Sequence, residues 1–411
     1  MKNNKYIISI CSILLLAATF IHPQERVKIA TYNILNYPNN TAVKNPKFQL
    51  ITDEMNPDIL VVQEILSQTA VNEFLNEVLS DEFEAGDFIN GPDTDNAIYY
   101  KDSLFSFIST EFIAPSQGPR YISVFTLFHK ITLDTLIIYS AHFKASQGAD
   151  NEARRLNEAA TLRVFTDMLP TDSDFILVGD LNLYRGSEPA FVKLLDQSTL
   201  GYFLDPINRI GSWHTNSGFA DIHTQSPRTA SLPDGGSNGG LDDRFDFILA
   251  SQSIIDQGGI DYVEDSYWAY GNDGLHFNTQ IINPPYPISL EIAFALHDVS
   301  DHLPVVAEFD FGVVSDVNDE FIKPEGFVLY QNYPNPFNPV TTIRFEIPYS
   351  QNVELAIYDM LGREVKRLYD GEAPAGVLTI DFNAQGLASG VYVYRLKTEN
   401  FIDSKKLILL K

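Results

Sequence analysis

Between Val27 and Phe311 the chain repeats one pattern, a short run rich in Ile, Val, Phe and Tyr closed by Asn, Asp, Pro or Gly. The runs are Val27–Ile34, Ile59–Val62, Ala97–Tyr100, Ser123–Phe128, Thr135–Ala141, Phe175–Val178, Phe245–Leu249 and Val305–Phe311. β-branched and aromatic runs punctuated by turn residues are a strand signal. Many are apolar at nearly every position, which implies cover on both faces. Asn151–Leu169 instead carries apolar residues at helical spacing, with Arg154 and Arg155 among them, and predicts an amphipathic helix. Helices flanking twice-buried strands predict an α/β layered sandwich.

A chain of 411 residues has room for two or three domains. From Phe311 to Glu325 the sequence turns polar and loses periodicity, a linker. The predicted division is 1–24 an export signal, 25–311 the main domain, 312–325 the linker and 326–411 a small β-sandwich of alternating strands and Pro-rich turns. The signal rests on Lys2 and Lys5 followed by the apolar run Tyr6–Phe20, too short for a comfortable membrane span; a membrane anchor is the alternative. The single cysteine, Cys11, lies in that run, so the mature chain is expected to have no disulfide and no stable membrane span. A net charge of −26 repels polyanions at long range and argues against a protein that coats nucleic acid. It leaves a metal-assisted nuclease open, because bound divalent cations reverse the local field.

Four polar segments stand at the C-terminal ends of expected strands, where open sheets place their sites. They present Asn33 (in ATYNILNY), Glu64 (in PDILVVQEI), His142 (in YSAHFKAS), and Asp180 with Asn182 (in VGDLN). Side chains two apart in an extended segment point the same way, so Asp180 and Asn182 are expected to reach one ligand. Asp246 lies in DDRFDFILAS, and Asp301 and His302 in VSDHLPVVAEF. Any one of these reads as a turn former or a structural histidine. Together on one rim they are a like-charge cluster that calls for a cation.

In this order the residues resemble the endonuclease/exonuclease/phosphatase superfamily, over about Val27 to Phe311. The resemblance implies a four-layer α/β sandwich with two packed central sheets, and hydrolysis of phosphoric esters with Mg²⁺, Mn²⁺ or Ca²⁺. It implies that Glu64, helped by Asn33 and Asp301, holds the metal through hard oxygen contacts. It implies that Asp246 orients His302, that Asp180 and Asn182 position nucleophile and phosphoryl oxygens, and that His142 donates to a phosphoryl or leaving-group oxygen. The general base is either His302 or Asp180. A nucleic acid is the expected substrate; a sphingomyelin-type lipid, reached through an exposed Tyr267–Tyr270 loop, a small phosphate ester, and a non-enzymatic adhesin are the alternatives.

Some positions stay open in the sequence. Asp95 is the one candidate to support the first histidine. Gly259–Leu296 is longer than a compact member needs and is either a substrate-access loop or a surface elaboration. Arg228, in ADIHTQSPR beside His223, is either a phosphate grip or a surface arginine. Lys144, Arg154 and Arg155 form either a basic lip or a solvated helix face. Finally, YPNPFNPVTTIRFEIP, LASGVYVYRL and the terminal KKLILLK resemble the type A sorting domain of the type IX secretion system, over about Gly326 to Lys411. That implies export to the periplasm, engagement of the type IX machinery, and release or attachment at the cell surface; a carbohydrate-binding or adhesive sandwich is the alternative.

Overall fold

The computed structural model describes residues 24–313 apart from 171, 256 and 257, and residues 327–410 apart from 331, 333, 334, 336, 360, 361, 374, 375, 399 and 400. The expected export signal, save its last residue, and nearly all of the expected linker lie outside the described residues. The chain divides into two compact units, one ending at Ser315 and the other starting at Asp316.

In chain order the strands of the first unit are β1 (Glu25–Tyr37), β2 (Ile59–Ile65), β3 (Phe83–Ala85), β4 (Asp95–Lys101), β5 (Phe105–Ile113), β6 (Ile122–His129), β7 (Thr135–His142), β8 (Phe175–Asp180), β9 (Phe203–Leu204), β10 (Asp246–Ser251), β11 (Gly259–Tyr262), β12 (Trp268–Ala269) and β13 (Val305–Val313). The helices are α1 (Thr41–Met55), α2 (Gln68–Glu77), α3 (Ala149–Thr166), α4 (Pro189–Leu194), α5 (Gln252–Ile255) and α6 (Leu290–Val299). One sheet runs β11-β13-β1-β2-β4-β3, with β12 also on β13; the other runs β5-β6-β7-β8-β10-β9. Among the described residues of this unit, only the strand pairs β1–β2 and β7–β8 are parallel.

Strand alternation sorts the apolar residues into three layers. On β1, Val27 and Ile29 join Ile59, Val61, Ile138, Ile176, Val178 and Ile248 in a core between the two sheets. Ala30, Tyr32 and Ile34 face the other way, onto Phe48 and Met55 of α1, Phe74 of α2 and Leu296 of α6. On the second sheet, Tyr139, Leu177 and Phe247 pack outward against Ala159 and Leu162 of α3 and Phe191 of α4. The result is helix, sheet, sheet, helix, the four-layer sandwich expected from the sequence. Each side chain so buried contributes roughly 1.5–3 kcal/mol of transfer energy, which is how a unit with no cysteine after Cys11 closes on its core alone.

The expected strands and the long helix appear, with ends shifted by a few residues. The helix α3 keeps Asp150 and Glu152 in its first turn and Arg163 in its last, the order its dipole favours. The sequence reading passed over α1, which contains Pro46 and has no side-chain cap, and the packing of Phe48, Ile51 and Met55 accounts for it. Gly259–Leu296 is not one continuous loop: it supplies β11 and β12, both paired to β13, and α6 begins at Leu290.

The second unit contains β14 (Val328–Leu329), β15 (Val340–Ile347), β16 (Gln351–Tyr358), β17 (Glu364–Ala373), β18 (Gly376–Asn383), β19 (Gly390–Lys397) and β20 (Ile402–Leu409). These form sheets β14-β15-β18 and β17-β16-β19-β20. Ile343, Phe345 and Phe382 of one meet Leu355, Ile357, Tyr394 and Leu407 of the other in a single core. This is the small β-sandwich that the short alternating strands predict. Among the described residues no helix is long and apolar enough to cross a membrane.

Candidate active site

Along each central strand the inter-sheet face is apolar at one end and polar at the other. On β1 the series Val27, Ile29 continues as Thr31 and Asn33; on β8, Ile176 and Val178 are followed by Asp180; on β7, Leu136 and Ile138 by Ser140 and His142. On β2, Ile59 and Val61 lead to Gln63, and the antiparallel β10 starts with Asp246 before Ile248. All these polar ends fall at one edge of the sandwich because β1, β2, β7 and β8 point there and β10 leaves from there.

A buried polar tier closes the core below this edge. Thr31 Oγ1 donates to Gln63 Oε1 (3.2 Å), and Gln63 Nε2 donates across the sheets to Ser140 Oγ (3.2 Å). Asn96 Nδ2 donates to Ser123 Oγ and to Ser140 O, both at 3.2 Å. These contacts tie the sheets together under the site and fix its width.

Above the tier, Asn33 Nδ2 donates to Glu64 Oε1 (3.2 Å) and Asp180 Oδ2 (3.2 Å). Glu64 has a left-handed backbone (φ 63°), at a register shift in β2, and its Oε2 accepts from the Asn36 amide (3.0 Å). His142 Nε2 is 3.4 Å from Asp180 Oδ2, and its Nδ1 is 3.9 Å from Glu64 Oε1. His302 Nδ1 donates to Asp246 Oδ2 (2.7 Å), and its Nε2 lies 3.6 Å from Asp180 Oδ2. Ser300 Oγ donates to Asn33 O (2.6 Å) and accepts from the His302 amide (3.1 Å), which joins the SDHLP loop to β1. Asp301 Oδ2 accepts from the Ser237 amide (2.6 Å). The fold therefore gathers Asn33, Glu64, His142, Asp180, Asp246, Asp301 and His302 at one place.

Asn182 arrives differently from the expectation. The strand ends at Asp180 and Asn182 turns into a left-handed conformation (φ 49°), so strand alternation is not what unites them. Its amide instead donates to Asp180 Oδ1 (3.0 Å), and its Nδ2 donates to Phe143 O (3.3 Å).

The electrostatics of the cluster follow from burial and like charge. Burial raises the Glu64 carboxyl, and Asp301 raises it further. Burial, with Asp246 and Glu64 adding to it, pushes Asp180 up to about 7 against the lowering effect of His302. Burial alone would lower His302, but Asp246 and Asp180 outweigh it and hold the imidazole well above its ordinary value. Burial, reinforced by Arg120, His302 and Lys144, holds His142 well below its ordinary value.

The donor set suits a hard divalent cation. Its carboxylate and amide oxygens are the ligand type such ions take, and the buried Asp301 Oδ1 and Asp246 Oδ1 have no hydrogen-bond partner. Among the described residues no three His, Cys, Asp or Glu side chains already form a metal cage. A Mg²⁺-like ion that keeps several waters needs only one or two carboxylates.

Several flanking residues depart from the sequence reading. Arg228 is fully buried, neither a phosphate grip nor a surface residue. Its fork donates to both oxygens of Asp234 (2.9 and 2.9 Å), its Nε donates to Ser237 O (3.1 Å), and it thereby sets the loop whose Ser237 amide holds Asp301. Arg155, likewise buried, pairs with Glu188 and donates to Lys144 O and Ser146 O, so it contributes nothing to a basic lip. Asp95 accepts from the Gly91 amide (2.8 Å) instead of supporting His142. His223 is buried between Trp213 O and Leu241 O. The Tyr267–Tyr270 segment is packed in rather than presented: Tyr267 accepts from Arg244 (3.2 Å), Trp268 Nε1 donates to Asn272 O (2.7 Å), and Tyr270 is buried.

The sequence reading missed Arg120, whose charge acts on both Glu64 and His142 while Thr94 and Asp93 hold it. It also missed Gln225, whose side-chain amide meets His302 Nε2 at 2.7 Å. Both lie in loops, with no strand pattern to single them out.

The model of the endonuclease/exonuclease/phosphatase family matches residues 30–302. The chain belongs to that family. A second model, the secretion system C-terminal sorting domain, matches residues 331–410, so the second unit is a sorting domain of the kind engaged by type IX secretion. No curated protein matches the chain. Among solved structures it is similar to an endonuclease/exonuclease/phosphatase family protein from Bacteroides thetaiotaomicron, at 15% identity over 71% of this chain and 96% of that one, TM-score 0.45. It is also similar to D. rerio TDP2 complexed with single strand DNA product, at 17% identity over 69% and 98%, TM-score 0.47. A third is a mannosyl-6-phosphatase from Bacteroides thetaiotaomicron, at 17% identity over 69% and 99%, TM-score 0.44.

Proposed function

We propose that this protein is a secreted, metal-dependent phosphodiesterase, and specifically an extracellular nuclease that hydrolyses DNA or RNA. The observation that carries the reading is the meeting of the His302–Asp246 pair with Asp180 and His142 around a single oxygen, Asp180 Oδ2. Glu64, Asn33 and Asp301 would hold the divalent ion, Mg²⁺ or else Mn²⁺ or Ca²⁺. When bound, the ion supplies positive charge against the phosphoryl oxygens.

The rest of the chemistry belongs to the side chains. Asp180, raised to about 7 by burial, is suited to take a proton from water at neutral pH, because a base works best with its pKa near the operating pH. His302, held as an imidazolium by Asp246, is suited to donate to a phosphoryl oxygen rather than to act as the base. Water attacks phosphorus and its proton passes to Asp180, while the bond to the leaving oxygen breaks and that oxygen takes a proton from the His302 imidazolium. Neutral His142 and Asn182 orient the phosphate. The N-terminal segment 1–24 is a signal peptide in this reading, and the sorting domain carries the enzyme across the outer membrane.

Full-length protein given Mg²⁺ and then EDTA tests this on plasmid DNA, RNA, sphingomyelin vesicles and inositol phosphates. The expected result is EDTA-sensitive cleavage of nucleic acid, lowered roughly 10²–10⁴-fold in His302→Ala. Hydrolysis of vesicles or inositol phosphates alone would overturn the nuclease reading.

A further inference from the structure

Beside the His302–Asp246 pair stands a second imidazole–carboxylate pair. His214 Nδ1 donates to Asp243 Oδ1 (2.7 Å). Asp243 is buried, while the His214 side chain keeps 36% of its surface open. The ring is fixed on further sides: its edge meets Tyr184 with centroids 5.2 Å apart, and its Nε2 lies 3.0 Å from the side-chain amide of the exposed Gln147. A carboxylate that holds one ring nitrogen orients the other toward its target.

The backbone ties this pair to the site. Asp243 precedes Asp246 by three residues, and Tyr184 follows Asn182 by two. The Gln225 amide donates to Asp243 O and the Asp243 amide donates back to Gln225 O, both at 3.1 Å, while the Gln225 side chain contacts His302. The His214 amide donates to Tyr184 O (3.3 Å) and the Thr215 amide to Asp242 O (2.8 Å). His214 is thus seated on the loops that follow β8 and precede β10, at the edge that carries Asp180 and Asp246. Buried Arg228 and Arg155 are paired with Asp234 and Glu188, whereas the His214 side chain is partly open.

We infer that His214, oriented by Asp243, binds a phosphate neighbouring the scissile one, so that the site selects substrates with at least two phosphate groups. The inference rests on the phosphoric-ester reading of the site and specifies the substrate class within it. Gln147 yields Nε2 to the incoming phosphate oxygen. Asp243 sets the ring and acts as a positioning residue.

The test compares dT2, which has one internucleotide phosphate, with dT4, which has three, on full-length wild type and on His214→Ala. Wild type is expected to show kcat/KM about tenfold or more higher for dT4, the advantage lying in KM. In His214→Ala the ratio falls toward one with kcat on dT2 unchanged, and Asp243→Asn moves it in the same direction by less. An unchanged ratio in His214→Ala overturns the inference, as does an equal loss of kcat on both substrates. If wild type cleaves neither oligonucleotide, the nuclease reading fails by itself. The same comparison then runs on glucose 6-phosphate against fructose 1,6-bisphosphate, with the same two outcomes deciding the inference.

Discussion

Glu158 shows burial outweighing the partners that oppose it, the Lys144 amide and the charges of Arg120, Arg155 and Lys144. It sits on the inner face of α3 with 1% of its surface exposed, accepts from the Lys144 amide (3.0 Å), and burial pushes its carboxyl up to about 7. An unfolded chain releases that proton near 4.3. Between these values the folded state binds more protons than the unfolded one, so stability falls as pH rises. The window is worth about 4 kcal/mol in all. Asp174, pushed up to about 7 by its own burial, adds a slope of the same sign. Glu158→Gln is therefore expected to flatten, but not abolish, the decline in urea midpoint from pH 5 to pH 8. Parallel profiles for variant and wild type would refute this. Glu158 also marks what sequence reveals at this scale. Asn33, Glu64, Asp180, Asp246, Asp301 and His302 were legible because each ends or adjoins an apolar run. The burial of Glu158, Arg155 and Arg228 was not, because a charged residue on a helix or loop reads as solvated until its partner is known.

Strands and turns carry the geometry, and Gly179 is the point where they do so most tightly. It precedes Asp180 in β8, has φ 123°, and pairs with Ala141 of β7 and Phe247 of β10. A Cβ there would lie 2.2 Å from Ala141 O. Gly148 has a similar φ of 107° with open space around it. The pair separates two effects. Gly148→Ala is expected to cost about 1–3 kcal/mol, the strain of a positive-φ extended backbone (φ 107°, ψ 150°) that only glycine adopts readily. Gly179→Ala adds a backbone clash inside a sheet and should cost about 4 kcal/mol or more, with loss of activity as Asp180 moves. Denaturant titration of both variants checks the contrast, and equal costs would contradict it. At this scale the twice-buried strands were readable from composition, as was α3 from its period. Helix α1 was not, since its Pro46 and uncapped start obscure a helix that packing imposes. Strand β5 escaped notice because Phe105–Ile113 is half-open and mixes polar with apolar residues.

Taken as a molecule, the first unit makes its site from two sheets at once. The first sheet and its SDHLP loop bring Asn33, Glu64, Asp301 and His302, and the second brings His142, Asp180, Asn182 and Asp246. Neither half holds the set, so the His302–Asp246 pair meets Asp180 and His142 only when the sheets pack, whereas the proposed cation ligands Asn33, Glu64 and Asp301 all come from the first. In a chain of net charge −26, four carboxylates crowd at that edge, where burial and neighbouring negative charge raise Glu64 and Asp180, and a bound cation would offset that charge. Calorimetric titration of Mn²⁺ into the full-length chain is the most direct measurement of this account. The expected result is one ion per chain, at least tenfold weaker binding in Glu64→Gln and Asp301→Asn, and retained binding with strongly lowered hydrolysis in His302→Ala. Binding to Glu64→Gln as tight as to wild type would contradict it.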